Sequence, residues 1–455
     1  MNIKNRAENI YKYCAGMVFC YVLSWPVVHA APVIDTWQHI SGAHVALVAS
    51  PAIPMLDVRL EFDAGSRRDP ADQAGLAAAA ALMSARGLNA DGPRPALDEN
   101  QLAEAWMDLG AQWSVAAGSD RLSASLRTLT APDVLPGALT LAARQLAQPR
   151  FDATYAAPIW QRERERLNAA WHNASTQPGT VVQRRFAQAV YGSHPYGFDV
   201  TPDTLARIAV TDMATWWQRH VRACDARVSL VGAVDRAQAD AIVTQLLAGI
   251  QRAQCEKLPA VPEVAALTGA TDQRVPMATA QAHVMLGQPG HRRDDPDFFS
   301  LLVGNYVLGG GGFVSRLTTE VREKRGLTYG VYSYFSPGMH AGAFTVGLQT
   351  RSDQADQALA LARDVVAGFV ANGPTDAELA AAKDNLVNGF ALRIDTNRKL
   401  LDNVANIAWY SLPADYLQTW TQQVQAVTVA DVRRAFQRVL QPGAMASVVV
   451  GGAGS

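Results

Sequence analysis

The chain repeats itself at a fixed interval. Val210-Thr211-Asp212-Met213 opens a helical stretch that leads to Val228-Ser229-Leu230-Val231-Gly232. Val427-Thr428 and then Asp431-Val432 open a second stretch that leads to Ser447-Val448-Val449-Val450-Gly451. Asp212 to Gly232 and Asp431 to Gly451 are the same twenty residues apart, with Trp217 aligned to Phe436 and Val221 to Leu440. A helical period feeding a β-branched run twice, at one spacing, predicts two copies of a single α+β unit.

Residues 1–30 read as a cleaved signal peptide. Lys4, Arg6 and Lys12 make a basic start, Met17 to Val28 is mostly apolar, and Val28-His29-Ala30 precedes a cut after Ala30. The apolar run is too short for a spanning anchor, and no lipid-attachment pattern surrounds Cys14 or Cys20. Export in a Gram-negative cell means the periplasm. The roughly 425 residues that remain exceed one hydrophobic core, so two domains are expected. Residues 31–250 make the first and 275–455 the second, joined by a Pro- and Ala-rich linker over 251–274.

Hairpins mix with long helices in each copy, which predicts mainly antiparallel sheets flanked by helices. Strands are expected over 45–49, 57–64, 112–117, 121–128, 226–234, 329–335 and 342–349. Helices are expected over 71–86, 97–109, 135–147, 236–250, 298–308, 313–325, 354–371 and 375–392, the last opened by a Thr375/Glu378 capping box. The net charge is -1 with no block of like charge, which argues against nucleic acid or an acidic membrane as partner. Cys224 precedes a strand and Cys255 follows the helix returning from it, so a disulfide between them is one reading and two free thiols the other.

The stretch Leu308 to Phe335, LGGGGFVSRLTTEVREKRGLTYGVYSYF, carries the chemistry. Val314, Leu317 and Val321 recur at helical spacing, Gly326 is a helix stop, and Tyr329 opens an aromatic, β-branched strand. Arg322 in the last helical turn and Tyr329 across a short break then point toward one cleft. Taken alone, Arg322 answers a negative helix end and Tyr329 is an ordinary aromatic. The glycines fit no P-loop and no dinucleotide turn. They suit a tight helix-to-helix turn or close backbone approach to a peptide.

This stretch resembles the second domain of M16 (insulinase/pitrilysin, mitochondrial processing peptidase-like) zinc metallopeptidases, with their "LGGG-x-S-S-R-L" turn followed by "REKRGL-x-Y". Gly65 to Met83, Arg162-Glu163-Arg164-Glu165-Arg166, the loop Tyr191 to Gly197 and Ala381 to Leu386 extend the likeness over nearly the whole mature chain. It implies the family's two-domain α+β fold. It also implies that Arg322 and Tyr329 grip a peptide backbone and stabilise the negative charge of a tetrahedral intermediate, with Gly310, Gly311 and Gly312 beside the substrate.

The metal motif is missing. The family's H-x-x-E-H places two histidines on one helix face with a general base between them. Here Gly75-Leu76 is followed by Ala78 and Leu82 at the ligand positions and Ala81 at the base position. The third ligand falls on Trp171 or His172. His39, His44, His194, His220, His283, His291 and His340 show no paired helical spacing, and His194 reads as a structural loop residue. The resemblance therefore implies a non-catalytic subunit that binds no metal itself. It would pair with an H-x-x-E-H partner holding the zinc, supply Arg322 and Tyr329 in trans, and form homodimers when isolated. The alternatives are an inert structural or peptide-binding protein and, last, a lone enzyme of other chemistry.

Overall fold

The repeat is built as two sheets of one design. A computed structural model describes residues 32–250 and 256–451; the expected signal segment and Cys255 lie outside them. The first half holds strands β1 (Asp35–Gln38), β2 (His44–Ala49), β3 (Met55–Phe62), β4 (Gly87–Leu88), β5 (Leu97–Asp98), β6 (Gln112–Ala117), β7 (Leu122–Leu129) and β8 (Arg227–Gly232). Its helices are α1 (Leu76–Met83), α2 (Glu99–Asp108), α3 (Leu135–Ala147), α4 (Ala153–Ser175), α5 (Pro178–Tyr191), α6 (Pro202–Ala206), α7 (Val210–His220) and α8 (Arg236–Leu247). The second half holds β9 (Thr271–Val275), β10 (Gln281–Pro289), β11 (Val331–Phe335), β12 (Ala343–Arg351) and β13 (Ala446–Val450). Its helices are α9 (Phe298–Asn305), α10 (Ala355–Asn372), α11 (Asp376–Asn388), α12 (Asn397–Trp409), α13 (Tyr416–Ala426) and α14 (Val429–Val439).

Strand order is β1-β2-β8-β3-β7-β6 in the first sheet and β9-β13-β10-β12-β11 in the second. Each sheet has one parallel neighbour pair, β2 with β8 and β9 with β13, and is otherwise antiparallel. The twin intervals seen in sequence are α7 leading to β8 and α14 leading to β13. The expected α+β class with two like halves is what the chain adopts.

Differences from the sequence reading have local causes. The helix expected over 71–86 starts only at Leu76, because Gly75 before it is left-handed with φ +104° and separates it from a 3-10 turn, Ala71–Gln73. The helix expected from Leu97 starts at Glu99, capped by Asp98. Residues 256–270 carry neither helix nor strand, and the last stretch of the expected linker enters β9. Cys224 is disulfide-bonded.

The halves exchange helices. α5, from the first half, packs on β10 and β13 of the second sheet. Its Val182, Phe186 and Val190 join Met285, Ala446, Val448 and Val450 in one apolar cluster, and Gly287 leaves room for the Phe186 ring, which a Cβ there would meet at 2.9 Å. α12, from the second half, packs on β2, β3 and β8 of the first sheet. That contact is partly apolar through Leu401, Val404 and Ile407 and partly charged. Arg59 Nη2 lies 2.7 Å from Asp402 Oδ1, Arg121 Nη2 donates to Asn406 Oδ1 at 2.6 Å, and Arg227 Nε donates to the Ala408 carbonyl at 3.0 Å. Trp409 takes the Arg121 and Arg227 guanidinium groups over its ring at 5.4 and 5.0 Å. Glu61 sits beneath them, 0% exposed and 3.0 Å from Arg121 Nη1.

Candidate functional site

The helix that stands where the metal motif would be is well made but has no donors. Asp69 accepts from the Gly75 and Ala77 amides at 3.0 and 2.9 Å, satisfying the start of α1. Ala77, Ala79 and Ala80 face the core, while Ala78 is exposed and Leu82 half-buried. Ala78 and Leu82, four residues apart, thus share the face that looks away from the core, as two ligands would. Methyl and isobutyl groups cannot bind a metal ion or move a proton. Ala81, at the base position, is buried.

On α4, Glu163 is taken up internally. It is 4% exposed and meets Arg86 Nη2 at 3.0 Å, Arg162 Nη2 at 3.2 Å and Arg166 Nη2 at 2.9 Å. Trp171 lies against the Arg184 guanidinium, 5.1 Å from the ring centroid, and His172 is exposed. Among the described residues, no three His, Cys, Asp or Glu side chains are grouped so that they could hold a metal ion. The residues present do not fit the family's zinc.

His194 is structural in this chain. Its Nδ1 accepts from the Tyr196 amide at 3.1 Å, so its Nε2 carries the proton and donates to the Pro262 carbonyl at 3.0 Å. The same loop anchors the two halves through Asp120. That carboxylate accepts from the Tyr196 hydroxyl and, at 3.0 Å, from the Met339 amide, and it lies 3.3 Å from Arg67 Nε.

The glycine-rich segment folds as irregular helix. α9 runs into a π-turn, Tyr306–Gly310, then a 3-10 turn, Gly312–Val314, then a second π-turn, Thr318–Glu323. Wide turns of this kind cluster at functional sites. Gly309 is forced by packing, since a Cβ there would meet Ser333 Oγ of β11 at 2.4 Å. Asn305 holds the same contact by bonding the Ser333 carbonyl and hydroxyl at 3.0 and 2.8 Å. Gly310 and Gly312 are exposed and Gly311 is half-buried. Because residue 314 belongs to the 3-10 turn, Val314 is exposed, not on the buried face with Leu317 and Val321. Gly326, at φ +61°, ends the helix as expected.

Arg322 lies on the second π-turn with its guanidinium over the Phe313 ring, 4.6 Å from the centroid. Tyr329 follows just before β11 and is 89% exposed. It lines a cavity of about 410 Å³ with Gly330, Tyr332, His283, Met285 and Val182. Arg322 does not line that cavity. The cavity lies between α5 and the second sheet, and its wall residues from α5 and β10 escaped the sequence reading because the helix exchange that joins them has no local signal.

A family model described as "Peptidase M16 inactive domain" matches residues 207–386. Over 274 residues the chain is 30% identical to an uncharacterized zinc protease of Streptomyces coelicolor, a match spanning 58% of each protein, so this chain covers little more than half of that relative. The crystal structure of a peptidase M16 inactive domain from Pseudomonas fluorescens superposes with a TM-score of 0.85 at 32% identity, covering 93% of this chain and 98% of that one. The periplasmic protease PqqL from Escherichia coli superposes with a TM-score of 0.76 at 18% identity, a likeness of fold alone, covering 92% of this chain and 46% of that one.

Proposed function

The chain belongs to the M16 peptidase family, and from that premise we propose that it is the non-catalytic subunit of a heterodimeric periplasmic zinc endopeptidase. Its partner would carry H-x-x-E-H and the zinc, and the two chains together would enclose the peptide. The observation that carries the reading is a mismatch within one molecule. The frame around α1 is complete and its outward face holds only Ala78 and Leu82, while Tyr329 offers a phenol that is 89% exposed. A phenol that exposed is available to a group outside its own chain. PqqL, whose chain is about twice the matched length, is periplasmic, which supports both the compartment and the idea that this fold is one half of a larger peptidase.

In this reading the partner's metal supplies the activated water. Tyr329 donates to the peptide carbonyl oxygen as negative charge builds there, and Arg322 holds the flanking backbone. Gly310 to Gly312 let the peptide main chain come close. Without its partner the chain is inactive and self-associates as a homodimer. The test is to mix the chain with an H-x-x-E-H subunit and follow peptide cleavage. Each of Arg322→Ala and Tyr329→Phe should lower kcat on the order of 10²-fold, the cost of one lost oxyanion donor. A mixture whose rate is unchanged by either substitution would remove the catalytic role.

A second reading is favoured by one observation. Arg322 is stacked on Phe313 and lies outside the cavity that Tyr329 lines. A protein that binds peptides without accelerating their hydrolysis needs no converging pair. It predicts peptide binding by the chain alone and no rate gain in any mixture.

A further inference from the structure

The cavity beside Tyr329 is walled by a row of side chains fixed by strand register. Tyr332 of β11 pairs with Gly347 of β12, and Gly347 pairs with Met285 of β10. Gly347 lacks a side chain, so the Tyr332 ring leans over it; a Cβ there would meet the ring at 2.5 Å. Met285 continues the wall on the same face of the sheet, and Val182 of α5 forms the opposite side. His283 lies behind them against Gly179 of α5, whose added Cβ would sit 3.5 Å from the imidazole. Burial lowers the His283 pKa and so favours the neutral ring.

No Asp, Glu, Lys or Arg lines this cavity; its polar groups are His283, Tyr329 and Tyr332 with Gln183, Gln281 and Gln349. A charged side chain entering it would lose water and meet no counter-ion. A flat, uncharged ring would gain apolar contact with Met285, Val182 and the Tyr332 face, and a phenol or indole N–H would find a neutral hydrogen-bond partner in His283 or a glutamine. About 410 Å³ is room for such a ring together with part of its backbone.

We propose that this cavity is a specificity pocket that takes an uncharged aromatic side chain of a bound peptide, next to the bond that Tyr329 addresses. The inference rests on the reading of Tyr329 given above and deepens it, by naming the residue class that the substrate presents. The mouth is open at Gly330, where an added Cβ would meet nothing within 4 Å.

The experiment uses the whole chain and one peptide varied at a single position, Phe, Tyr, Lys or Glu. Binding to the chain alone is read by fluorescence anisotropy, and cleavage by the chain mixed with an H-x-x-E-H subunit. The Phe and Tyr peptides should bind at least tenfold more tightly than Lys and Glu. Gly330→Leu, which fills the mouth, should erase that preference while leaving the melting temperature unchanged. Gln183→Trp, at an exposed position on the α5 side, provides a second block should Gly330→Leu fold poorly. Equal binding of all four peptides, or a preference that survives both well-folded blocks, overturns the pocket. A preference in binding with no rate gain in the mixture leaves the pocket standing and removes the catalytic role; a rate gain without preference does the reverse.

Discussion

Glu61 gives the sharpest physical test. It lies on β3 opposite Ser123 of β7 and Arg227 of β8, fully buried where α12 covers the sheet. Its Oε2 has no hydrogen-bond partner, and Ser123 Oγ reaches only to 3.5 Å from Oε1. Burial therefore outweighs the attraction of Arg121, Arg59 and Arg227 and pushes the carboxyl up from 4.5 to about 7. A folded-state pKa above the unfolded one means that the folded protein binds this proton more tightly. The stability that proton contributes is complete below pH 4.5 and is lost as pH rises through about 7. At about 1.4 kcal/mol per pKa unit, the loss approaches 3 kcal/mol. Glu61→Gln keeps the shape of the protonated acid and removes the titration. Its stability relative to the natural chain should therefore rise by up to about 3 kcal/mol between pH 4.5 and pH 8. Removing the partner of Arg121 adds only an offset that does not vary with pH. Urea unfolding of both proteins across that range measures the gap directly, because every other group titrates alike in the two. A gap constant across the range would refute the claim that desolvation governs this carboxyl.

The two inter-half contacts yield further expectations. Phe186→Ala empties the apolar seat of α5 on the second sheet and should cost about 3–5 kcal/mol, read by chemical denaturation, against little change for a substitution at the neighbouring exposed Gln183. Asp120→Ala leaves the Met339 amide, the Tyr196 hydroxyl and Arg67 without their shared acceptor. It should lower stability by at least 2–3 kcal/mol and speed hydrogen exchange at Met339 and His340 in particular.

Much of this fold is legible in the chain because its signals are local. The interval from Asp212 to Gly232 and its echo at Asp431 to Gly451 reflect a helix that feeds a strand, and both lie where expected. The Thr375 capping box is present as read, with Glu378 accepting from the Thr375 amide at 2.7 Å. Gly75 misled the reading because an alanine run has strong helical preference while the left-handed turn before it is a tertiary choice. Val314 misled it because the π and 3-10 turns around it follow from the close approach of Gly309 to Ser333, a contact made across a strand. The positions Ala78, Ala81 and Leu82 needed no structure, since missing donors are a property of composition. The exchange of α5 and α12 could not be read, because each helix is docked by residues far away in sequence that bear no pattern of their own.

That exchange settles how the molecule can be cut. A protein expressed to the end of α8 would keep Phe186 but lose the β10 and β13 surface that shelters it, and its own sheet would lie bare where α12 belongs. The complementary piece would carry the mirror defect. Neither fragment is a unit that evolution or a cloning vector can move about freely. Each half needs the other's helix to bury its own sheet.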